Sequence, residues 1–159
     1  GKDIFINDFE WHMKRHRESF TKEQFARRME YGQEVLSNYY DEYRNSWNKI
    51  VAVERTIRNV VVQGVPIRGK LDKLEFDGNA VNVVDYKTGK PENGLKKIKP
   101  PSEDEPKGSD YWRQIVFYKI LLDNFKRENW KMISGEIDFL EKVLFDLKFL
   151  LACEQIWYL

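Results

Sequence analysis

Three charged residues in otherwise apolar segments are the first candidates for chemistry in this sequence. Asp85 and Lys87 stand two residues apart in VVDYKTGK, and Asp72 ends the motif GKLD. Residues two apart on a strand point to the same side, and a buried charge is costly unless it is paired or used. Two carboxylates beside a lysine suit phosphodiester hydrolysis with Mg²⁺ or Mn²⁺, because oxygen ligands hold the ion and an ammonium group serves the attacking water. A structural ion pair between Asp85 and Lys87 is the alternative.

Turn signals place these residues on neighbouring strands. From residue 50 onward, IVAVERTIRNVVV, VPIRGKLDKLEF and AVNVVDYK are rich in β-branched residues and are separated by QG (63–64) and DGN (77–79). The pattern predicts a three-stranded antiparallel meander. An antiparallel hairpin pairs residues symmetrically about its turn, so counting outward from the second turn puts Asp85 near Leu71 and Asp72. The two carboxylates can therefore converge.

A second pair of polar residues follows on a helix that we expect to begin near Asp110, with Ser109 as its cap. Gln114 and Tyr118 are four residues apart in RQIVFY and share one helix face. A buried glutamine needs partners for both ends of its amide, and a site with metal, water and phosphate would supply them. A core position for Tyr118 and a surface position for Gln114 are the alternatives. The preceding residues 88–109 hold four prolines and mixed charges, which predicts a long mobile loop.

The other elements complete an α/β pattern. Thr21 and Gln24 form a plausible capping box for a long amphipathic helix over residues 21–48. KMISGEIDFL (131–140) reads as a further strand and EKVLFDLKFLLACEQ (141–155) as a terminal helix. The predicted order is α-β-β-β-α-β-α.

Composition limits the possible classes of protein. A chain of 159 residues with 42% hydrophobic residues can bury one sizeable core, so we expect a single domain. The net charge of +1 favours no particular partner. The lone Cys153 excludes a disulfide framework and a four-cysteine metal site within the chain, and it suits a cytoplasmic setting. No apolar run reaches the roughly 20 residues that cross a membrane. The start at Gly1 and the apolar end IWYL suggest a segment of a longer protein.

Two further motifs resemble functional sites, but a structural interpretation is favoured for each. Residues 64–70 match the G-xxxx-G-K spacing of a phosphate-binding loop, but Pro66 removes an amide, Leu71 follows the lysine, and the context is strand to strand. His12 and His16 are four residues apart, as zinc ligands on one helix face would be. The sequence around them lacks the glutamate of that signature, and the favoured interpretation is a solvated basic face.

The motifs, in this order, resemble the RecB-type branch of the PD-(D/E)xK nuclease superfamily, found at the C-terminal end of helicase–nucleases of the AddAB and RecBCD kind. The resemblance covers roughly residues 20–140 and implies an α/β, restriction-endonuclease-like fold: a mixed sheet with an antiparallel three-stranded meander, flanked by helices. No Gly-x-x-x-His matches the histidine of the family's early helix, and one cysteine excludes the iron–sulfur subtype. The matching residues are Glu54 in VERTI, Asp72 in GKLD, Asp85 and Lys87 in VVDYKTGK, and Gln114 and Tyr118 in RQIVFY.

The resemblance implies a Mg²⁺- or Mn²⁺-dependent deoxyribonuclease. Asp72, Asp85 and the backbone carbonyl of Tyr86 would ligate the metal, and Lys87 would serve the attacking water. Glu54, taken by itself a strand-edge charge, would be a further carboxylate at the site or a partner for Lys87. Gln114 and Tyr118 would contact DNA or support the site, and the lysines that would lie beside DNA are Lys90, Lys96, Lys97 and Lys99.

The resemblance further implies exonuclease action on single-stranded DNA ends during repair or recombination, with a helicase covalently linked or associated. The alternative is a catalytically inactive DNA-binding or scaffold module with the same fold.

Overall fold

The computed structural model describes residues 1–141 and 148–152. The chain divides into two compact units, residues 1–47 and residues 48–159, and each is described by itself. Within the described ranges, no helix is both long enough and apolar enough to cross a membrane.

The first unit is helical. It contains α1 (Lys2–Arg15), a 3-10 turn (Arg17–Ser19) and α2 (Lys22–Tyr43). The capping box at the start of α2 is confirmed, since the Gln24 backbone N–H donates to the Thr21 hydroxyl and the Thr21 N–H donates back to the Gln24 side chain.

The α2 helix ends five residues before the predicted limit of 48. Ser46 closes the helix, because its backbone N–H and its hydroxyl both donate to the carbonyl of Tyr43, each at 2.9 Å. Trp47 then packs against the rings of Tyr39 and Tyr40. Trp47 therefore packs on the aromatic side chains of the helix from beyond its end.

The second unit is built on a five-stranded sheet in the order β1-β2-β3-β4-β5. The first three strands form the predicted antiparallel meander, β4 runs parallel to β3, and β5 pairs antiparallel with β4. The expectation of a mixed sheet is thus confirmed. The strands are β1 (Val51–Val62), β2 (Val65–Asp77), β3 (Ala80–Lys87), β4 (Lys131–Phe139) and β5 (Lys148–Ala152).

The prediction of a terminal helix over residues 141–155 is wrong for residues 148–152. The short apolar run KFLLA is compatible with a strand as well as with a helix turn, and in the structure it pairs antiparallel with β4. Residues 142–147 and 153–155 of that prediction lie outside the described part of the chain.

Both predicted hairpin turns are present. Gln63 and Gly64 have φ of 49° and 81° between the paired residues Val62 and Val65, so the turn has the two positive φ values of type I′. The second turn has Gly78 at φ 59°. The first turn fixes the register of β1 on β2, and the second fixes the register of β2 on β3 and hence the position of the candidate site.

The segment 88–109 contains regular structure, so the expectation of an irregular loop is wrong in part. Pro91 opens the short helix α3 (Pro91–Leu95), as its fixed φ allows at a first helical position. Ile98 is 2% exposed and belongs to the core. The carbonyl of Lys97 accepts from the backbone N–H of Tyr111 at 2.8 Å, which fastens the segment to the next helix. The mobility of residues 88–109 stays a prediction.

Helix α4 (Asp110–Asp123) packs on one face of the sheet, with its start as predicted. The hydroxyl of Ser109 does not cap it and donates to Glu105 instead, at 3.1 Å. A Cβ at Gly69 would stand 2.7 Å from the Leu121 side chain, so a glycine in β2 lets α4 approach. The largest fully buried side chains of this core are Phe139, Ile57, Leu71, Leu74, Ile115, Leu121, Leu122, Met132 and Ile137.

Candidate active site

Asp85 lies at the centre of a polar cluster between the end of β3 and helix α4. It is 2% exposed, and its Oδ1 accepts from the Gln114 amide and from the Tyr118 hydroxyl, both at 2.7 Å. The Lys87 ammonium lies 2.5 Å from Oδ2 as an ion pair, although its direction is not that of a hydrogen bond. The apolar strand VVDYK thus places both charges on the face that α4 covers.

Gln114 connects all the other members of the cluster. Its Oε1 accepts from Lys87 Nζ at 3.0 Å, and its Nε2 donates to the Tyr118 hydroxyl at 2.6 Å as well as to Asp85. The prediction that Gln114 and Tyr118 share one face is confirmed. Because an oxygen faces the cation and a nitrogen faces the anion, the amide holds Asp85 and Lys87 in fixed positions.

Asp72 reaches the same part of the sheet from β2. Its Oδ2 accepts from the backbone N–H of Tyr86 at 3.0 Å, between the two charged residues of β3. In a regular strand, two residues three apart point to opposite faces of the sheet. Leu71 and Leu74 nevertheless belong to the same core cluster, so the regular alternation of side chains along β2 is interrupted around Asp72. The register, which pairs Lys73 with Val84, agrees with the predicted proximity of Asp72 to Asp85, and the convergence of their carboxylates on one metal stays a prediction.

Tyr118 is held as a neutral hydrogen-bond donor. Burial raises the pKa of its phenol well above the ordinary value, and the hydrogen bond to Asp85 with the charge of that carboxylate raises it further. The bond from Gln114 lowers the pKa by a smaller amount. The Tyr118 hydroxyl therefore stays protonated at neutral pH and donates its hydrogen bond to Asp85.

The donor set fits a hard divalent cation with few protein ligands. The buried Oδ2 of Asp85 makes no hydrogen bond, and Asp72 contacts the peptide that follows Asp85. Mg²⁺ commonly takes one or two carboxylates and retains several waters. Within residues 1–141 and 148–152 there is no group of three or more His, Cys, Asp or Glu side chains that could hold a metal. The two aspartates, a main-chain oxygen and water would have to suffice.

Two residues near Lys87 were not foreseen as neighbours. Lys87 Nζ lies 4.8 Å from the centre of the Tyr111 ring, and Lys97 Nζ lies 5.5 Å from the same centre. These are cation–π distances. Tyr111 could have been found from its position three residues before Gln114 on one helix face. Lys97 carried no such signal, because its approach depends on how the preceding segment docks.

Glu54 is not joined to this cluster. Its carboxylate forms an ion pair with Lys70. Both side chains are exposed, Glu54 by 63% and Lys70 by 59%. Glu54 also has φ of 53°, an uncommon conformation for a non-glycine residue. Lys87 pairs with Asp85 and Gln114 instead, so the structure does not support the alternative in which Glu54 pairs with Lys87.

The two weaker motifs have no support either. Gly69 and Lys70 lie inside β2, and a strand follows where a phosphate-binding loop would need a helix. His12 lies in α1, whereas His16 is the residue just after its end. The described residues include no metal-ligand group around either histidine.

A hydrogen-bonded row of polar side chains crosses three neighbouring strands of the sheet. Lys73 pairs with Glu75 at 2.6 Å, Asn82 donates to Glu75 at 3.0 Å, and Ser134 donates to Asn82 at 2.8 Å. Burial by itself would lower the pKa of Lys73, but Glu75 and Tyr86 outweigh burial and the pKa is raised. The row joins β2, β3 and β4, and so fixes the strands that carry both aspartates.

Comparison with known proteins agrees with these features. The family profile described as the PD-(D/E)XK nuclease superfamily matches residues 7–142, a range that contains all the candidate site residues. A search of curated proteins gave no match.

Proposed function

The chain belongs to the PD-(D/E)XK nuclease superfamily, whose members are generally phosphodiester hydrolases, and we propose that it is a Mg²⁺- or Mn²⁺-dependent deoxyribonuclease. The observation that carries the proposal is the buried Asp85–Lys87 pair, joined through Gln114 and set beside Asp72. A cation and a carboxylate held in this way at a strand end are the groups that phosphodiester hydrolysis uses.

In this mechanism, Asp72, Asp85 and the carbonyl of Tyr86 would hold the divalent ion, which would supply Lewis-acid chemistry at the scissile phosphate. Lys87 orients the attacking water and offsets the negative charge that develops on the phosphate. The water oxygen bonds to phosphorus while the ester P–O bond breaks, and the proton that the water loses reaches the leaving oxygen or the solvent. Gln114 keeps the two charged side chains aligned.

We extend the proposal to the substrate and its setting. The order of the RecB-type motifs supports exonuclease action on single-stranded DNA ends during repair or recombination, with a helicase linked or associated. The lone Cys153 supports a cytoplasmic location. The positions proposed to lie beside DNA are Lys90, Lys96, Lys97 and Lys99.

Cleavage of end-labelled single-stranded DNA tests the activity. We expect products with Mg²⁺ or Mn²⁺ and none with EDTA. Asp85→Asn and Lys87→Met should each lower the rate at least about 100-fold, the lower range for loss of a catalytic group. The matched controls are Asp77→Asn and Lys131→Met, which change exposed residues and should keep the rate within about two-fold. Unchanged cleavage by either site variant would refute the assignment of the site.

An inactive DNA-binding module with this fold remains the competing candidate. The observation that favours it is that the described residues offer no more than two clustered carboxylates for a metal. Calorimetry with Mn²⁺ separates the two functions. Binding that is lost in Asp72→Asn supports the nuclease, whereas DNA binding without any Mn²⁺ binding supports the inactive module.

A further inference from the structure

A separate pocket lies on the hairpin formed by β1 and β2. It is open to solvent, has a volume of about 310 Å³, and takes no part in the Asp85 cluster. Three of the residues that line it are cationic and one is a hydroxyl. The lining residues are Thr56, Arg58, Arg68, Gly69 and Lys70.

The cationic side chains project from the face of β2 opposite to α4. Gly69 faces α4 through Leu121, so the alternation of a strand aims Arg68 and Lys70 at the other face, where both are exposed. Thr56 is the direct cross-strand partner of Lys70. Arginine and lysine thus stand two apart along one face, with a hydroxyl beside them.

The third cation, Arg58, lies in β1 at the start of an irregular stretch. The pairing register shifts between Ile57 and Val60, and Asn59 has φ of 60°. A bulge leaves an extra residue outside the ladder and re-aims its neighbour. Arg58 lies in this irregular stretch and lines the pocket together with Arg68. The register before the shift pairs Thr56 with Lys70 and Ile57 with Gly69, so Arg58 follows opposite Arg68 and on the same face.

The hairpin concentrates positive charge that the chain as a whole lacks. Residues 49–70 contain five basic residues and one acidic residue, whereas the formal net charge of the chain is +1. Lys70 has Glu54 as its ion-pair partner. Among the residues that the structure describes, neither Arg58 nor Arg68 forms an ion pair. Two guanidinium groups therefore remain available to an anion.

We propose that this pocket binds phosphate groups of the DNA strand, as a second contact outside the active site. Arg68 stands four residues before Asp72 in β2, so at about 3.3 Å per residue their Cα atoms lie roughly 13 Å apart along the strand; the pocket faces away from α4, whereas the Asp85 cluster lies on the face that α4 covers. Guanidinium groups suit phosphate because they form paired hydrogen bonds.

The proposal rests on the proposed function only in taking the bound strand as substrate. Binding is therefore measured without cleavage, by fluorescence anisotropy of a 5′-labelled oligothymidylate in EDTA over a series of KCl concentrations. In the double variant Arg58→Ala/Arg68→Ala, we expect the slope of log K against log[KCl] to fall by roughly 1.4, because each lost single-strand phosphate contact removes about 0.7. Affinity near 0.1 M salt should fall about 10- to 30-fold.

A matched control removes two exposed positive charges elsewhere. Lys126→Ala/Arg127→Ala should leave the salt slope within about 0.3 of the parent value, and Arg58→Lys/Arg68→Lys should recover most of the lost slope because lysine retains the charge. Equal slopes for the hairpin and control variants overturn the proposal. A hairpin variant that loses binding while the parent protein fails to cleave DNA would support the pocket and refute the nuclease, so the two failures are distinguishable.

Discussion

Replacing Tyr118 with phenylalanine removes one oxygen from the centre of the site and keeps the ring. That hydroxyl donates to Asp85 at 2.7 Å and accepts from Gln114 at 2.6 Å, and the residue is 6% exposed. A hydrogen bond to a charged group contributes about 1.5–3 kcal/mol. Asp85 keeps its bond from Gln114. We therefore expect the free energy of unfolding to fall by about 2 kcal/mol near neutral pH.

The effect should depend on pH in one direction. The pKa of Tyr118 is raised in the folded protein, whereas a tyrosine in the unfolded chain titrates near pH 10. The stabilisation by this group is fully present below about pH 10 and is lost as the pH rises, since only the unfolded chain then releases the proton. One such group lowers stability by about 1.4 kcal/mol between about pH 8 and pH 11. The Tyr118→Phe variant lacks this contribution.

Urea unfolding of both proteins at the two pH values measures the difference. With an m value of about 2 kcal/mol/M, the midpoint of the variant should be about 1 M lower at about pH 8. The difference in unfolding free energy should shrink from about 2 to about 0.6 kcal/mol at about pH 11. A difference that stays constant over this range would show that Tyr118 is not held as a buried neutral donor, and would refute the reasoning.

Two more changes test the surroundings of the site. Gly94→Ala should destabilise the protein by about 1–3 kcal/mol, because a Cβ there would overlap the buried Phe139 ring, whereas Gly89→Ala meets nothing within 4 Å and should change the urea midpoint little. Similar effects of the two alanines would contradict the docking of α3. Tyr111→Leu should slow DNA cleavage about two- to five-fold by removing roughly 0.5–1 kcal/mol of cation–π contact with Lys87, and Tyr111→Phe should retain the parent rate. Equal rates for the leucine and phenylalanine variants would show that the ring does not position the lysine.

Much of the site was predictable from local rules. The approach of Asp72 to Asp85 follows from symmetric pairing about a tight turn, and the register of Lys73 with Val84 agrees with that count. The contact between Gln114 and Tyr118 follows from helix geometry alone. Both relations depend on short stretches of backbone, and for that reason the sequence could reveal them.

Other features depend on contacts between segments that are distant in the chain, so no local pattern in the sequence predicts them. Lys97 reaches Tyr111 only because the segment before α4 is bonded to its first turn. Strand β5 was predicted to be part of a helix. Its five residues are too few to show whether the apolar side chains recur with the period of a helix or with that of a strand.

Residues 100–108 form an excursion of the chain just before α4, and this excursion has a consequence for the evolution of the protein. The backbone N–H of Ser109 donates to the carbonyl of Lys99 at 2.9 Å, so the two ends of residues 100–108 are tied together. The entropy of closing such an excursion grows slowly with its length. Insertions there would leave the helix that carries Gln114 in place. This excursion is therefore where related proteins can acquire new sequences, and where an engineer can graft one, without rebuilding the catalytic centre.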